Sequence, residues 1–348
     1  MPGTVTFFGS GETSSTGGRI FESLAAHVEP PLQVSILETP AGFEVNAERV
    51  AGRISEFLAN RLQNYQPRLF QIAARKKGTY HSPDSAEVAA PLYESNLIFL
   101  GPGSPSYTVR QLKDSLTWNI LQARHRLGAS IIFASAAAIA AGSPALPVYE
   151  IFKVGEDPHW KPGLDFLLPY GLALVIIPHW NNQDGGSELD TSRCFIGHER
   201  FEELLSQLPA EKMVLGIDEL TAIQLDFESS RCRVAGVGGI HLLRDRQLED
   251  YAAGSEFPLD VLGDYKTLAD PGAGLPVEVW EQAQQIAQQT KINPPLEIPA
   301  ELEQMVAVRE AARQQRDWPR ADLLRQEIAV LGWKLIDSPD GPQLKPIK

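Results

Sequence analysis

"IIFASAAAIAAG", residues 131–142, consists almost wholly of small or apolar side chains and carries one hydroxyl, Ser135. The run reads as a buried strand passing into a helix at the serine. Two readings of Ser135 stand. It is a small core residue, or it is a nucleophile held at a tight strand-to-helix turn, where small neighbours relieve crowding and the next backbone N–H faces a developing oxyanion. The glycines that commonly flank such an elbow are replaced by Phe133 and Ala137.

Working outward, strand-like and helix-like segments alternate. Strands are expected at 4–10, 32–40, 67–75, 96–104, 129–135 and 171–180, and helices at 18–28, 46–63, 86–95 and 107–128, the last ending at Gly128. That alternation predicts an α/β fold with a mostly parallel sheet flanked by helices. Such sheets bind ligands beyond the carboxyl ends of their strands, which gathers residues 9–12, 39–42, 101–104, Ser135 and His179 on one rim. The α/β domain is expected to span 1–250. Residues 251–299, rich in Gly, Pro and Asp, read as a linker with one helix at 277–291, and 292–299 as an extended spacer. Residues 300–348 hold two helices broken near Trp318-Pro319, with a tail that suits a short hairpin around Asp340-Gly341.

Composition narrows the function. The chain has 348 residues, 43% hydrophobic and 22% charged, which is ordinary for a soluble globular protein with a full core. A formal net charge of −13 excludes generic nucleic-acid binding by the whole chain. Two cysteines, Cys194 and Cys232, make no disulfide framework and no metal-ligand spacing. No signal-peptide pattern and no membrane-length apolar run is visible, so a cytoplasmic protein with reduced thiols is expected, away from membranes and without a metal or other cofactor.

Several residues could carry chemistry. His179 closes the apolar run "LALVIIPHW", which places an imidazole at the rim, either as a general base or as a hydrogen-bonded structural residue. Glu219, in "VLGIDELTAIQLDF", could aim a carboxylate at that imidazole and fix its tautomer, or lie in a solvated acidic turn. The turn in "FLGPGSPSY" offers Gly103 as a second oxyanion donor beside Ala136, Pro102 having no N–H, and offers Gly101 and Ser104 as substrate contacts. The polar run 178–201 adds Asn181, Arg193 and Arg200 as substrate-binding candidates, guanidinium groups being suited to carboxylates. "FFGSGET" matches neither a Walker loop nor G-x-G-x-x-G. Nothing around Cys194 resembles a Cys–His pair.

Taken together, the Gly-rich turn after a buried strand, the strand-end serine among alanines, the strand ending Pro-His and "GIDELTAI" resemble the peptidase E and cyanophycinase family of serine peptidases over roughly residues 3–245. The resemblance implies a fold like the class I glutamine amidotransferase domain (flavodoxin-like), with Ser135 as nucleophile, His179 as base and Glu219 as orienting acid. It implies hydrolysis of a small peptide or amide, aspartyl in known members. The chain departs from the family's Gly-x-Ser-Ala-Gly-Ala run and has Gly101-Pro102-Gly103 for its Gly-Gly loop. Residues 308–341 resemble the C-terminal module of cysteinyl-tRNA synthetase, through Arg309, Ala312, Arg313, Arg316, Asp317, Trp318, Ala321, Asp322, Gly332, Asp337 and Gly341. That likeness implies tRNA contact, with Arg313, Arg316 and Trp318 as RNA-binding candidates; a helical hairpin with solvated arginines is the plain alternative. The rival to hydrolysis is a catalytically silent protein that binds a small ligand at the sheet rim and RNA or a protein through its C-terminal module. Amidotransferase chemistry is disfavoured by a serine where that reaction uses cysteine. A homodimer is left open.

Overall fold

The computed structural model describes residues 1–292, 299–338 and 341–346. The chain divides into two compact units, 1–293 and 294–348.

In the first unit the strands are β1 (Val5–Phe8), β2 (Gln33–Leu37), β3 (Arg68–Ile72), β4 (Leu97–Leu100), β5 (Ser130–Ala134), β6 (Val175–Ile177), β7 (Val214–Ile217), β8 (Thr221–Asp226), β9 (Arg231–Gly236), β10 (Gly239–Arg244), β11 (Gln247–Ala252) and β12 (Glu256–Pro258). The helices are α1 (Ser15–Ala25), α2 (Ala47–Arg61), α3 (Ala86–Ala89), α4 (Pro105–Leu112), α5 (Leu116–Arg126), α6 (Ala136–Ala141), α7 (His198–Ser206) and α8 (Val277–Ile292). Eight strands form the main sheet in the order β12-β9-β8-β1-β5-β4-β2-β3. The five from β1 to β3 are parallel, with Phe7 beside Phe133 and Leu100 beside Phe133 in register. β8, β9 and β12 continue the sheet antiparallel. A second sheet, β11-β10-β7-β6, is parallel only between β6 and β7. The fold is therefore α/β with a large helix-flanked sheet, as expected, but mixed beyond residue 217. There the chain turns back through connections of two to four residues from β8 to β11, too short for a parallel crossover.

The period of two along each strand splits the core. Phe7 and Phe133 face one side with Trp118 and Phe166; Phe8 faces the other with Phe21 and Phe99. Helices α1 and α2 cover that second side through Phe21, Leu24, Ile54 and Leu58. Each ring withdrawn from water stabilises the fold by roughly 1.5–3 kcal/mol before conformational entropy is charged against it.

Three expectations need correction. The helix expected at 107–128 is two helices. Asp114 takes a left-handed φ of 60°, and Ser115 then caps α5 by accepting from the N–H of Trp118 at 3.2 Å. The strand expected at 171–180 contracts to β6. The expected linker at 251–299 is largely part of the first unit: β12 pairs with β9, Phe257, Leu259 and Leu262 are buried, and α8 buries Val279 and Ala283 in the same core. Of the spacer expected at 292–299, residues 293–298 lie outside the described residues.

The second unit holds α9 (Ala300–Gln314), α10 (Trp318–Val330) and a hairpin of β13 (Trp333–Ser338) with β14 (Gly341–Pro346). Asp317 caps α10, accepting from the N–H of Arg320 at 3.2 Å. Leu302, Ile328 and Leu335 form a small core. Asp340, expected in the hairpin turn, lies outside the described residues.

Candidate active site

Ser135 follows β5, which has parallel neighbours on both sides, β1 and β4, and α6 begins at the next residue. Its backbone has φ 52° and ψ −115°. A non-glycine residue held there costs of the order of 1–3 kcal/mol and persists only where its surroundings enforce it. Two anchors do so: its N–H donates to the carbonyl of Phe8 on β1 at 3.3 Å, and its own carbonyl accepts from Ile139 at 3.2 Å. Phe133 does not obstruct the elbow, because its ring is fully buried beneath the sheet, 5.0 Å from Phe166 and 5.5 Å from Phe7. The core-serine reading therefore gives way to a serine held in a strained turn beside an imidazole.

His179 lies beyond β6, and Glu219 lies in the corner 218–220, where the chain leaves β7 in the second sheet and enters β8 in the first. Because β8 runs antiparallel to β1, that corner falls at the carboxyl end of β1, beside Ser135. The Ser135 hydroxyl is 2.9 Å from His179 Nε2, and His179 Nδ1 is 3.0 Å from Glu219 Oε1. Positive φ recurs here, at His179 (51°) and Leu220 (55°). The first glycine loop ties both segments down: Gly9 accepts from the N–H of His179 at 3.3 Å, and the Ser10 hydroxyl accepts from the N–H of Leu220 at 3.2 Å.

Ala136 occupies the first position of α6, so its N–H has no intrahelical acceptor. Gly103 sits beyond β4, the strand next to β5, at φ 152°; a Cβ there would fall 1.9 Å from the carbonyl oxygen of Pro40, so only glycine fits. Two of the expected substrate contacts are spent on structure. Ser104 donates its N–H to Pro40 at 2.9 Å, and its hydroxyl caps α4 by accepting from Tyr107 at 3.2 Å. Gly101 is buried against the ring of Phe99. Asn181 uses its side-chain oxygen to accept from the N–H of Glu219 at 2.9 Å, which makes it a support for the acid, though it also lines a cleft of about 310 Å³ with Asp190 and Arg193. Arg193 lies over the Trp180 ring at 3.8 Å and donates to the Trp180 carbonyl at 3.2 Å. Arg200 lies in the first turn of α7 and makes no hydrogen bond or ion pair to Ser135, His179 or Glu219.

The sequence reading missed Asn182, and placed Glu12 on the rim without signalling its burial. Asn182 is buried and donates to Glu219 Oε1 at 2.9 Å, so one carboxylate oxygen is shared between the imidazole and an amide. The "WNNQD" run carried that signal only as undifferentiated polarity. Glu12 follows β1, and burial pushes its carboxyl up, against its own backbone N–H and the nearby His179 ring. Cys194 is fully buried, with a thiol that burial pushes far up, which removes it as a rival nucleophile.

In the second unit, Arg309 makes a two-pronged pair with Asp337 at 2.9 and 3.0 Å, and Arg313 joins the same carboxylate at 2.7 Å. Arg313 is thus tied into the fold, while Arg316 and Trp318 are exposed.

A strand-end serine in a positive-φ elbow, in hydrogen-bond series with an imidazole and a carboxylate, has the geometry to pass a hydroxyl proton to the ring. A solved structure agrees on the architecture. The chain superposes on a peptidase from an acI-B1 Actinobacterium with a TM-score of 0.60 and 19% identity, covering 74% of this chain and 97% of that one. No family model matches the chain. Sequence similarity to curated proteins is of another kind. The chain is 46% identical over 55 residues to the cysteine–tRNA ligase of Opitutus terrae, and 48% identical over 48 residues to that of Rubrobacter xylanophilus. These matches fit the likeness read in residues 308–341. They cover 16% and 14% of this chain, which spans only 12% and 10% of the length of those ligases.

Proposed function

We propose that the chain is a serine-type hydrolase that cleaves a small peptide or amide. The observation that carries this reading is the continuous relay from the Ser135 hydroxyl through His179 to Glu219, at 2.9 and 3.0 Å, on a serine held at φ 52°. In this mechanism Ser135 Oγ attacks the substrate carbonyl carbon and its proton passes to His179 Nε2. Glu219, accepting from Nδ1, fixes the tautomer and stabilises the imidazolium. The N–H groups of Ala136 and Gly103 receive the oxyanion. Collapse of the tetrahedral intermediate returns the proton to the leaving amine, and water, activated by the same imidazole, releases the acyl group. The family likeness points to an aspartyl substrate, whose carboxylate Arg193, a lining residue of the cleft beside Asn181, would meet.

A fluorophosphonate probe tests this reading. Wild-type protein is expected to be labelled at Ser135, and Ser135→Ala is expected to lose labelling entirely. Absence of labelling in correctly folded wild type would leave the silent ligand-binding reading in its place.

A second reading concerns only the C-terminal unit. Exposed Trp318, beside exposed Arg316 and Arg320, offers a stacking face with cations for single-stranded RNA, in keeping with the ligase similarity. Retention of tRNA that weakens with salt and disappears on deletion of 296–348 is the expected result; retention unaffected by the deletion dismisses it.

A further inference from the structure

A second imidazole contacts the chain neighbours of the first and of its carboxylate partner, Trp180 and Asp218. His241, on β10, has Nε2 3.0 Å from Asp218 Oδ1 and Nδ1 2.7 Å from Asp250 Oδ1 on β11. A neutral imidazole carries one N–H, so between two carboxylates it would leave a lone pair facing an anion. Only the cation, with two N–H groups, satisfies both. The ring also stacks on Trp180, with centroids 5.3 Å apart and planes within 17°. Gly216, paired with His241 across the ladder, leaves room for that indole: a Cβ there would meet it at 2.5 Å.

These contacts touch the neighbours of two site residues. Trp180 follows His179, and Asp218 precedes Glu219. Trp180 is further pinned by its N–H to the Ile217 carbonyl at 3.0 Å, and Asp218 Oδ2 accepts from Gly239 at 2.9 Å. We propose that His241 is a positioning residue for the active site: bridging Asp218 and Asp250 and stacked on Trp180, it holds the two chain segments that carry His179 and Glu219 in register. This inference rests on the hydrolase reading above and adds to it a group that touches no substrate.

The charged groups around the ring give it a pH signature. Asp218 faces it from the corner after β7 and Asp250 from β11; Arg193, over the indole, is close enough to feel the charge of both carboxylates and of Asp190 and Glu202, with no ion pair to any of them among the described residues. Burial opposes the ring's charge, but the bonds to Asp218 and Asp250 together outweigh it and hold the pKa above the ordinary imidazole value. The cation therefore persists to higher pH than it would on a free imidazole, and is lost as pH rises further.

The test follows the rate of fluorophosphonate labelling of Ser135 against pH. His241→Gln is expected to label about 10- to 100-fold more slowly than wild type near pH 7, the penalty typical of slight misplacement of reacting groups, with the gap closing as pH rises. His241→Arg, which keeps the charge, the donors and the stack, is expected to recover most of the rate and to lose the alkaline decline. Equal rates for folded His241→Gln and wild type across the pH range overturn the proposal, as does a His241→Arg protein no faster than His241→Gln. If His241→Gln does not fold, Asp250→Asn serves: the alkaline decline is expected at lower pH, and an unmoved decline overturns the proposal. If wild type itself is not labelled, the hydrolase reading fails separately. The inference then stands or falls on whether the imidazole NMR titration of His179 differs between wild type and His241→Gln.

Discussion

Two histidines, His179 and His241, sit on either side of the corner 218–220 and use adjacent carboxylates, Glu219 and Asp218. Their partners differ in one respect. His179 has a carboxylate on Nδ1 and a hydroxyl on Nε2, and the hydroxyl can donate, so the neutral ring is satisfied and remains free to take a proton. His241 has carboxylates on both nitrogens and has no proton to accept. Under the proposed mechanism the same side chain serves as a base in one place and as a charged bridge in the other, the difference lying in the chemistry of a single neighbouring atom.

The largest effects should come from breaking the first arrangement. His179→Ala is expected to lower the labelling rate of Ser135 by roughly 10⁴-fold or more, since the hydroxyl loses its proton acceptor. Glu219→Gln is expected to cost less, roughly 10⁴-fold at most, because the amide can fill the space while failing to stabilise the imidazolium. Its Asn182 partner will then face an amide instead of a carboxylate. Rates for the two variants measured side by side should preserve that order. Near-equal rates for Glu219→Gln and wild type would show that the carboxylate does not orient the base.

How much of this was legible in the sequence follows from range. The strand-to-helix transition at Ser135 and the apolar run ending at His179 are local patterns, and both residues stand where periodicity placed them. The corner at Glu219 was visible as a break between two apolar runs. That it switches the chain between two sheets was not, because strand partners are not a local property. The break at Asp114 was missed because a single left-handed residue and a serine cap interrupt an otherwise helical pattern. Asn181 and Ser104 carried the polarity but not their partners: their hydrogen bonds go to Glu219 and Pro40, 38 and 64 residues away in sequence. His241 carried no signal at all, since its meaning lies in Asp218 and Asp250 from two other stretches of chain. Residues 251–292 show the reverse case. A Gly- and Pro-rich composition reads as a linker, yet Phe257, Leu259, Leu262, Val279 and Ala283 are all buried in the core.

The smallest expected effect is also the one most specific to the second histidine. A group whose pKa is higher folded than unfolded binds its proton more tightly in the folded state. Its contribution to stability is then complete below the ordinary imidazole range and disappears as pH climbs through the folded value. His241 is such a group, raised by Asp218 and Asp250 against the opposing effect of burial. The melting temperature of wild type should therefore exceed that of His241→Gln by a margin that is greatest below the ordinary imidazole range and shrinks as pH rises above it, while His241→Arg shows no such narrowing. Thermal melts at a series of pH values read this directly, with no need for substrate. A margin that stays constant with pH would mean that His241 acts by shape and stacking alone, and that the contrast between the two histidines is one of position and not of charge.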